Sequence, residues 1–340
     1  MKRILITGGA GFIGSNLVRY LLRKYPDYKI VVLDALTYAG SISNFTEDIK
    51  NNDNFVFWQG NVTNGEIVSE LVKESDIVVH MAAESHVARS IYDNRIFFET
   101  DVIGTQVVAN AILNHPVERF IHLSSSEVYG TALTDPMTED HPLNPMSPYA
   151  SAKAGADRLV YSYMKTYNIP AVIVRPFNNY GPLQHLEKVI PRFITSALQD
   201  QPLTVHADGG SSRDWLFVED HCSALDSIMH CDLEKVNGEV FNIGTGRDVK
   251  VIDIAGIILG MLGKPQSLIC HIEDRMGQVN RHISSVDKIN NTLGFKPQTS
   301  FEAGLEKTIK WYSDNRWWWE RLLWMKSIPM RMVNGKRTVY

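Results

Sequence analysis

The sequence predicts an α/β fold in which a doubly wound parallel sheet is followed by a second, smaller α/β domain. Short apolar runs alternate with helix-like segments through residues 1–180, as they do in successive βαβ units. In addition, three glycines spaced Gly8-x-x-Gly11-x-x-Gly14 directly follow the first apolar run and directly precede an amphipathic helical pattern. A glycine turn between a strand and a helix is typical of a Rossmann-type sheet.

The glycine turn has the composition of a dinucleotide-binding site. After the apolar run Ile4–Ile6, Gly8 permits a tight turn, Gly11 lets the backbone approach a pyrophosphate, and Gly14 lets the helix pack close to the strand. The N-terminus of the helix adds free N–H groups and a positive dipole end, both of which favour phosphate. The cofactor contacts predicted here are Gly8, Gly11, Phe12, Ile13 and Gly14.

A carboxylate at the end of the second apolar run predicts which dinucleotide is bound. Asp34 follows Ile30–Leu33 and lies 20 residues beyond Gly14. At that place it can accept hydrogen bonds from a ribose 2′-hydroxyl, and it would repel a 2′-phosphate. The sequence therefore predicts NAD rather than NADP as the cofactor.

The remaining elements of residues 1–180 alternate in the same way. Because ligands of such sheets bind beyond the carboxyl ends of the strands, the residues that follow each strand are candidate site residues. The predicted strands are Ile4–Ile6, Ile30–Leu33, Phe55–Trp58, Ile77–His80, Phe120–Leu123 and Ala171–Arg175. The predicted helices between them are Gly65–Lys73, Ile103–Asn114 and Ala150–Tyr167.

The pattern changes near residue 180, which we take as the boundary between a cofactor domain, 1–180, and a second domain, 181–340. A segment near 215–245 is expected to return to the first sheet. Four tryptophans near the end of the chain are more typical of packing than of a ligand site. The predicted elements are the helices Val189–Leu198, Val218–His230, Ile252–Leu262 and Phe301–Asn315 and the strands Leu203–His206, Glu239–Ile243 and His271–Ile272.

Composition and charge exclude several classes of protein. Hydrophobic residues make up 44% and charged residues 21% of the chain, which is an ordinary globular composition. The net charge of −4 provides no basic field for nucleic acid. Cys222, Cys231 and Cys270 show neither metal-ligand spacing nor a disulfide framework. No apolar stretch has the length of a signal peptide or a membrane span, so we expect a cytoplasmic protein without nucleic-acid or membrane partners.

A tyrosine and a lysine share one face of a predicted helix. Tyr149 and Lys153 are four residues apart, so both side chains leave the same side. A tyrosine with a pKa of about 10 is a poor base at neutral pH, but a nearby ammonium and the nicotinamide cation stabilise its phenolate. The pair could remove a hydroxyl proton while hydride leaves the attached carbon. The spacing is common in amphipathic helices, and it becomes informative because it follows a dinucleotide turn.

Hydroxyl and carboxylate side chains follow the predicted strand Phe120–Leu123. Ser125 is placed to hydrogen-bond a substrate hydroxyl and to assist the tyrosine. Serines at this place could also be ordinary turn residues. Glu127 puts a carboxylate beside the predicted nicotinamide site, which favours a catalytic role.

Together these residues resemble the extended short-chain dehydrogenase/reductases that act on nucleotide sugars, and the sequence is most similar to the dTDP-glucose 4,6-dehydratases. The similarity runs over nearly the whole chain and ends after Trp319. The matching stretches are Thr7–Gly14, Asp34–Gly40, Ala82–Val87, Ser147–Lys153, Asn178–Pro182, Glu187–Pro191, Arg213–Leu216 and Asn242–Gly244. The resemblance implies that residues 181–340 form a nucleotide-sugar domain.

The resemblance implies a redox cycle on bound NAD. Tyr149 would take the proton of the C4 hydroxyl of the sugar while hydride leaves C4, and Lys153 would hold the nicotinamide ribose. Glu127 matches the glutamate that removes the C5 proton of the 4-keto sugar, after which the C6 hydroxyl leaves as water and hydride returns to C6. The family commonly forms homodimers through two long helices, which here correspond to Ile103–Asn114 and Ala150–Tyr167.

Two residues depart from the dTDP-glucose pattern, in which Thr-Asp-Glu stands where this chain has Ser125-Ser126-Glu127. Ser125 keeps the hydroxyl, but Ser126 lacks the usual proton donor. The GDP-mannose 4,6-dehydratases carry a serine there, and their glutamate serves both proton transfers. The catalytic candidates are therefore Ser125, Ser126, Glu127, Tyr149 and Lys153.

Several activities share this framework. The same triplet occurs in UDP-glucuronate decarboxylases, whereas the 4-epimerases usually lack a glutamate at the position of Glu127. A 4,6-dehydratase is the preferred prediction, and a decarboxylase, a 4-epimerase and a non-catalytic NAD-binding protein are the alternatives. The expected partner is a dTDP-, UDP- or GDP-hexose.

The resemblance also assigns binding residues. Arg213 and Arg275 match the arginines that clamp the nucleotide diphosphate, a role that suits the guanidinium fork. Asn179 matches the asparagine that holds the sugar-proximal phosphate. His206 stands where many dTDP-glucose enzymes have a tyrosine near the base, and Asn61 stands where an aspartate commonly meets the adenine. The other assigned residues are Val62, Ala82 and Ala83 for the cofactor and Ser85, His86, Glu187, Lys188, Val189 and Asn242 for the substrate.

Asp101 replaces an asparagine that is common in the family. No clustered set of ligands accompanies His86 or His122, so we expect no metal site at either histidine.

Overall fold

A computed structural model describes residues 2–274, 277, 279–327, 329–331 and 337–339, the last two segments by their backbone. The strands are β1 (Arg3–Thr7), β2 (Lys29–Asp34), β3 (Phe55–Gln59), β4 (Ile77–His80), β5 (Arg119–Leu123), β6 (Ala171–Pro176), β7 (Asn178–Tyr180), β8 (Leu203–His206), β9 (Ser212–Phe217), β10 (Val240–Ile243), β11 (Asp248–Lys250), β12 (Ile269–Ile272), β13 (Pro329–Arg331) and β14 (Arg337–Val339).

The helices complete the alternation that the sequence predicts. They are α1 (Phe12–Lys24), α2 (Glu47–Lys50), α3 (Gly65–Lys73), α4 (Val87–Tyr92), α5 (Arg95–Phe97), α6 (Gly104–Asn114), α7 (Pro148–Tyr167), α8 (Val189–Ala197), α9 (Val218–His230), α10 (Val251–Met261), α11 (Asp287–Leu293), α12 (Phe301–Asp314) and α13 (Arg316–Trp319). A π-helical turn, Phe98–Ile103, joins α5 to α6, and a 3₁₀ helix, Ser126–Tyr129, follows β5.

The main sheet has seven parallel strands in the order β10-β6-β5-β4-β1-β2-β3. The chain winds outward in both directions from β1, which pairs with β2 on one side and with β4 on the other. The predicted doubly wound α/β fold is therefore confirmed. The change of direction beside β1 opens a crevice at the carboxyl ends of β1 and β4, where ligands of such sheets bind.

Both faces of this sheet are covered, which explains the continuous apolar strands. On one face α1 and α9 pack on the sheet through side chains such as Leu21 and Leu225. On the other face α3, α6 and α7 contribute side chains such as Val68, Val108 and Val160. The crevice therefore lies on a rigid, two-sided core.

Part of the segment near 215–245 lies on the main sheet. Strand β10 pairs in parallel with β6 at the edge of the main sheet, and α9 packs against α1. The strand that precedes them, β9, belongs instead to a three-stranded sheet with β7 and β11. The boundary at residue 180 stays a prediction.

The second unit packs helices α8, α10 and α12 around a separate apolar core. Trp318 and Trp319 are buried in it, and their indole N–H groups donate to Asn44 Oδ1 (2.9 Å) and to the Tyr312 carbonyl (2.7 Å). Trp317 and Trp324 are 62% and 54% exposed. Packing thus accounts for two of the four tryptophans.

One helical stretch corrects two sequence predictions. The helix predicted to start at Ile103 begins at Arg95 and runs through the π-helical turn. Among the described residues, Arg95–Asn114 forms one helix that is long and apolar enough to cross a membrane, although the sequence led us to expect no such stretch. Since α6 packs between α3 and α7, side chains such as Val108 and Ile112 belong to the core of the fold, whereas Phe98 and Ile103 are half-exposed. No membrane is indicated.

Candidate active site

A cleft of about 440 Å³ lies at the carboxyl ends of the strands and extends from the glycine turn to the second unit. It brings together residues that are more than 200 positions apart in the sequence, such as Gly8 and Arg213. The predicted site residues that line it are Gly8, Gly11, Phe12, Ile13, Gly14, Asp34, Asn61, Val62, Ala82, Ala83, Ser85, His86, Ser125, Ser126, Glu127, Tyr149, Lys153, Asn179, Glu187, Lys188, Val189, His206 and Arg213.

Among the described residues, one predicted substrate contact, Asn242, does not line the cleft. Asn242 is fully buried away from it, where its Oδ1 accepts from the Tyr129 hydroxyl (2.7 Å) and its Nδ2 donates to the Met137 carbonyl (3.0 Å). Both ends of the amide are therefore used in packing the loop 130–145 onto β10, so the predicted substrate contact of Asn242 is corrected to a structural role. Arg275 lies outside the described residues.

The glycine turn, called the cradle below, packs so closely that Cβ atoms on Gly8 and Gly14 would clash with the backbone. Gly8 has φ +70°, and a Cβ there would lie 2.7 Å from the Ala82 backbone. A Cβ on Gly14 would lie 2.4 Å from the Gly8 carbonyl oxygen. Gly11 precedes α1 as its N-cap, so the first N–H groups of that helix face the cleft. The turn is thus shaped for a close-lying phosphate group.

Asp34 is held rigidly at the end of β2. Its Oδ2 accepts from the Ala10 N–H (2.9 Å), and its Oδ1 accepts from the Leu36 N–H (2.8 Å). Burial raises the pKa of Asp34, and the two backbone hydrogen bonds oppose this shift. Each oxygen keeps a further lone pair, so the carboxylate can also accept from a ribose hydroxyl.

Tyr149 and Lys153 lie on the first turns of α7. Ser147 caps this helix, since its Oγ accepts from the Ala150 N–H (3.1 Å), and Pro148 begins it. The Lys153 ammonium donates to the Leu123 carbonyl at the end of β5 (2.6 Å). The cap and this hydrogen bond fix both side chains beside the crevice.

Burial dominates the electrostatics of the pair. It raises the pKa of Tyr149, as do the nearby carboxylates of Asp101 and Glu127, whereas a hydrogen bond from Ser125 lowers it. Burial lowers the pKa of Lys153, and the carboxylates of Asp101 and Asp157 oppose that shift. The phenol therefore needs a nearby positive charge before it can act as a base.

Glu127 lies in the 3₁₀ helix that follows β5, and Ser125 caps this helix by accepting from the Glu127 N–H (3.2 Å). The Glu127 carboxylate lines the cleft, and its Oε1 is 4.0 Å from Nδ1 of His282. His282 is buried, and its Nε2 donates to the Gly130 carbonyl (2.6 Å). His282 lies 155 residues from Glu127 and no motif links them, so this contact was not predicted from the sequence.

A buried ion pair ties α7 to the sheet. The Asp157 carboxylate accepts from Arg175 Nε (2.8 Å) and Nη2 (3.0 Å) and from the Ser124 hydroxyl (2.7 Å). Although burial alone would raise it, the hydrogen bonds and charges of Arg175 and Arg158 lower the pKa of Asp157 to about 2. This pair anchors the helix that carries Tyr149 and Lys153.

The second unit contributes polar groups to the far wall of the cleft. Lys188 donates to the Ser85 carbonyl (2.6 Å), and Arg89 donates to the Glu187 carboxylate (3.0 Å), so both residues tie the loop after β4 to the second unit. Glu84 lies beside them, and burial and the charge of Glu187 raise its pKa to about 7. Glu84 lies inside the matching stretch Ala82–Val87 but is not among the site residues predicted from the sequence.

Comparison with known proteins agrees with this geometry. The family model described as GDP-mannose 4,6 dehydratase matches residues 5–308. The low-salt glycan biosynthesis protein Agl12 of Haloferax volcanii is 44% identical over 309 residues, which are 91% of this chain and 98% of that protein. The dTDP-glucose 4,6-dehydratase of Streptomyces niveus is 40% identical over 324 residues, 94% of this chain and 95% of the relative.

Solved structures show the same fold. DesIV, a dTDP-glucose 4,6-dehydratase from Streptomyces venezuelae solved with NAD, has a TM-score of 0.90 and 40% identity, with 94% of this chain and 99% of that chain covered. The UDP-glucuronic acid 4-epimerase of Bacillus cereus is less similar, with a TM-score of 0.87 and 29% identity over 92% of this chain and 99% of that chain. The chain therefore belongs to the GDP-mannose 4,6-dehydratase family of extended short-chain dehydrogenase/reductases.

Proposed function

We propose that this chain is an NAD-dependent nucleotide-sugar 4,6-dehydratase that converts a nucleoside-diphosphate hexose to its 4-keto-6-deoxy derivative. The observation that carries this proposal is that Tyr149, Lys153 and Glu127 line one cleft together with the glycine cradle. Oxidation and re-reduction at C4 alone, without loss of water, requires only a base and a hydride acceptor. Loss of water from C5 and C6 also requires a group that removes the C5 proton, and Glu127 supplies it.

The cradle and the carboxylate beside it support NAD as the cofactor. Gly8 and Gly14 let the turn pack closely against Ala82 and against the start of α1, where a Cβ would clash with the backbone, and α1 presents its N-terminus to the cleft. Asp34 would accept from a ribose hydroxyl and repel a 2′-phosphate. When bound there, NAD supplies a hydride acceptor for C4 and a hydride donor for C6. Titration should show tighter binding of NADH than of NADPH, and equal affinities would contradict this role of Asp34.

The first step belongs to Tyr149. Its phenolate takes the proton of the C4 hydroxyl, the Lys153 ammonium stabilises the phenolate, and Ser125 donates a hydrogen bond to the same oxygen. The resulting C4 ketone makes the neighbouring C5 proton acidic. The step therefore prepares the sugar for elimination.

The second step belongs to Glu127. Its carboxylate removes the C5 proton, and the same group returns that proton to the C6 oxygen as water leaves, because the Ser126 hydroxyl is too weak an acid to do so. A single group that serves adjacent carbons implies a syn elimination. Ser126 then lines the cleft without being the acid.

The far wall of the cleft supports a nucleoside diphosphate as the rest of the substrate. Arg213, Asn179 and Lys188 bring a guanidinium, an amide and an ammonium to this wall, where they would bind the diphosphate. The relatives named dTDP-glucose 4,6-dehydratase make dTDP-glucose the first substrate to test. UDP- and GDP-hexoses complete the panel.

The test is incubation with NAD and this panel, followed by mass spectrometry of the products. A mass loss equal to water supports the proposal. A mass loss equal to carbon dioxide from UDP-glucuronate would replace it with decarboxylation, and an isomer of unchanged mass would replace it with 4-epimerisation. No change with any sugar would contradict an enzymatic role.

We further propose that the protein acts as a cytoplasmic homodimer. Half-exposed apolar side chains on Arg95–Asn114 and on α7, among them Phe98, Ile103 and Tyr167, support pairing through these two helices. The free thiols of Cys222, Cys231 and Cys270 support a reducing compartment.

A further inference from the structure

The π-helical turn Phe98–Ile103 turns a carboxylate into the interior of the protein. Phe98 and Ile103 at its ends are half-exposed, whereas Asp101 in its middle is buried. The Thr105 hydroxyl donates to the Asp101 carbonyl (2.5 Å), which satisfies a backbone group at the irregular turn. Single π-helical turns inside α-helices are frequent at functional sites.

The Asp101 carboxylate is only half satisfied by hydrogen bonds. Its Oδ1 accepts from the Glu84 N–H (2.8 Å), but its Oδ2 is buried and has no hydrogen-bond partner among the described residues. A buried carboxylate with an unpaired oxygen is costly unless a cation lies nearby. The turn packs against α7, and the cation on that helix that interacts with Asp101 is Lys153.

Lys153 needs such a partner. Its ammonium is buried and interacts with two carboxylates, Asp101 and Asp157. Asp157 already forms a close pair with Arg175 and also contacts Arg158. The nearby histidines His80 and His122 add no charge, because burial keeps their pKa values low. Of the two carboxylates that interact with Lys153, Asp157 is thus paired with arginines, and Asp101 is left as the counter-charge of Lys153.

We propose, on the basis of the function proposed above, that Asp101 is a positioning residue that serves as the counter-charge of Lys153 and sets the pH range in which Tyr149 can exchange its proton. The other titratable groups that interact with Asp101, Lys153 or Tyr149 are Glu84 after β4, Glu127 after β5 and Asp157 on α7.

The sign of the effect follows from the charges. Burial raises the pKa of Asp101, and the charge of Lys153 opposes that shift. When Asp101 is ionised, its charge favours the ammonium form of Lys153 and disfavours the phenolate form of Tyr149, so it raises the pKa of both groups. Removing the charge lowers both. The reaction needs Tyr149 ionised, which sets the acid limb of the pH–rate profile, and Lys153 protonated, which sets the alkaline limb. Both limbs should therefore move to lower pH when the charge of Asp101 is removed.

The test is the pH dependence of single-turnover cofactor reduction in Asp101→Asn holoenzyme with the nucleotide sugar. The asparagine keeps an acceptor for the Glu84 N–H. Both limbs should shift to lower pH by roughly 1 unit, the lower end of the range for a charge at close range. Limbs that coincide with those of the wild type would overturn the proposal, even if the rate falls.

Glu99→Gln is the matched control, since Glu99 lies on the same turn but is exposed and pairs with Arg95. Its profile should coincide with that of the wild type, and a shift equal to that of Asp101→Asn would overturn the proposal by showing that any change in the turn has this effect.

A second measurement requires no turnover, so it separates this proposal from the proposed function. Infrared difference spectra against Asp101→Asn, taken with the full chain, isolate the carboxyl band of Asp101. In Lys153→Met that carboxyl should protonate at a higher pH than in the wild type, because it has lost its cation. An unchanged titration would overturn the pairing, whatever reaction the protein catalyses.

Discussion

Tyr149 is placed where its own ionisation is unfavourable, because it is buried and two carboxylates raise its pKa further. Its role as a base therefore depends on Lys153, on the Ser125 hydrogen bond and on the positive nicotinamide of the bound cofactor. This dependence explains why the acid–base residues come from two adjacent elements, β5 with its following turn and α7.

Tyr149→Phe should greatly slow the oxidation of the sugar at C4 while leaving cofactor binding intact. The phenylalanine keeps the ring but has no group that can take the C4 proton, so single-turnover cofactor reduction should fall by roughly 10²–10⁴-fold. Absorbance near the band of the reduced nicotinamide measures the rate, and cofactor titration serves as the control. A rate close to that of the wild type would show that another group takes this proton.

Substitutions of Glu127 and of Ser126 should differ sharply in their effect on the release of 6-deoxy-4-keto product. Glu127→Gln should still reduce the cofactor but release little 6-deoxy-4-keto product, because hydride leaves C4 before the carboxylate acts. Ser126→Ala should cost much less, since its hydroxyl is not the acid. Cofactor absorbance and product mass should be followed together in both variants. If Ser126→Ala is as inactive as Glu127→Gln, the single-carboxylate mechanism is wrong.

At this scale the sequence predicted residues that belong to local motifs and missed those that act through distant contacts. Gly8, Asp34 and Tyr149 lie in short stretches whose spacing carries the prediction, and all three line the cleft. Asn242 also lies in such a stretch, but its amide packs against Tyr129 and Met137. The position of His282 beside Glu127 depends on a long loop, and no local pattern encodes that.

At the scale of elements, the ion pair between Asp157 and Arg175 is the main anchor of α7. Both side chains are almost completely buried. Asp157→Asn would leave the guanidinium without its counter-charge, so unfolding in denaturant should become easier by about 3–5 kcal/mol at neutral pH. Asp314→Asn is the control, since Asp314 pairs with Lys310 on the surface. An equal effect of the two variants would contradict the anchoring role.

The ion pair between Asp157 and Arg175 should also make the free energy of unfolding depend on pH in the acid range. The pKa of Asp157 is about 2 in the folded protein, below its ordinary value of 3.8. A lowered pKa contributes stability that is present above the ordinary value and is lost as pH falls through the folded value. Between about pH 4 and pH 2 the wild type should therefore lose more stability than Asp157→Asn. Denaturant curves at several pH values measure this difference, and parallel losses would contradict it.

The long apolar elements could be predicted from the sequence, whereas the short polar ones could not. Strand β4 and helices α3 and α9 have the predicted bounds, because hydrophobic periodicity marks them clearly. Strands β7 and β11 have three residues each, too few for any periodicity. The helix start at Arg95 was missed because a π-helical turn interrupts the 3.6-residue period.

At the scale of the whole molecule, the exposed apolar side chains on Arg95–Asn114 and α7 lead us to expect a dimer. Light scattering at micromolar concentration should give twice the chain mass of 38.4 kDa. Ile103→Asp should favour the monomer, since it puts a charge on that face, whereas Trp324→Asp on the distant C-terminal segment should not. A monomeric wild type would contradict the proposal.

Strand β10 lies in the sequence between helices of the second unit, since α8 precedes it and α10 and α12 follow it, yet it completes the edge of the main sheet. The sequence indicated this return only as a change of pattern, since pairing between distant strands leaves no local signal. The main sheet is therefore not built from one contiguous piece of the chain.

The hydrogen bond from Trp318 to Asn44 has a consequence for biosynthesis. The Asn44 amide also donates to the Ala10 carbonyl in the glycine turn (2.8 Å), so the cradle is braced through Asn44 by Trp318, which lies 274 positions beyond Asn44. A ribosome must translate past Trp318 before this brace can form. The nascent polypeptide thus waits for Trp318 before the nucleotide cradle is complete, and a premature stop codon ahead of Trp318 would leave that cradle without this brace in every copy made.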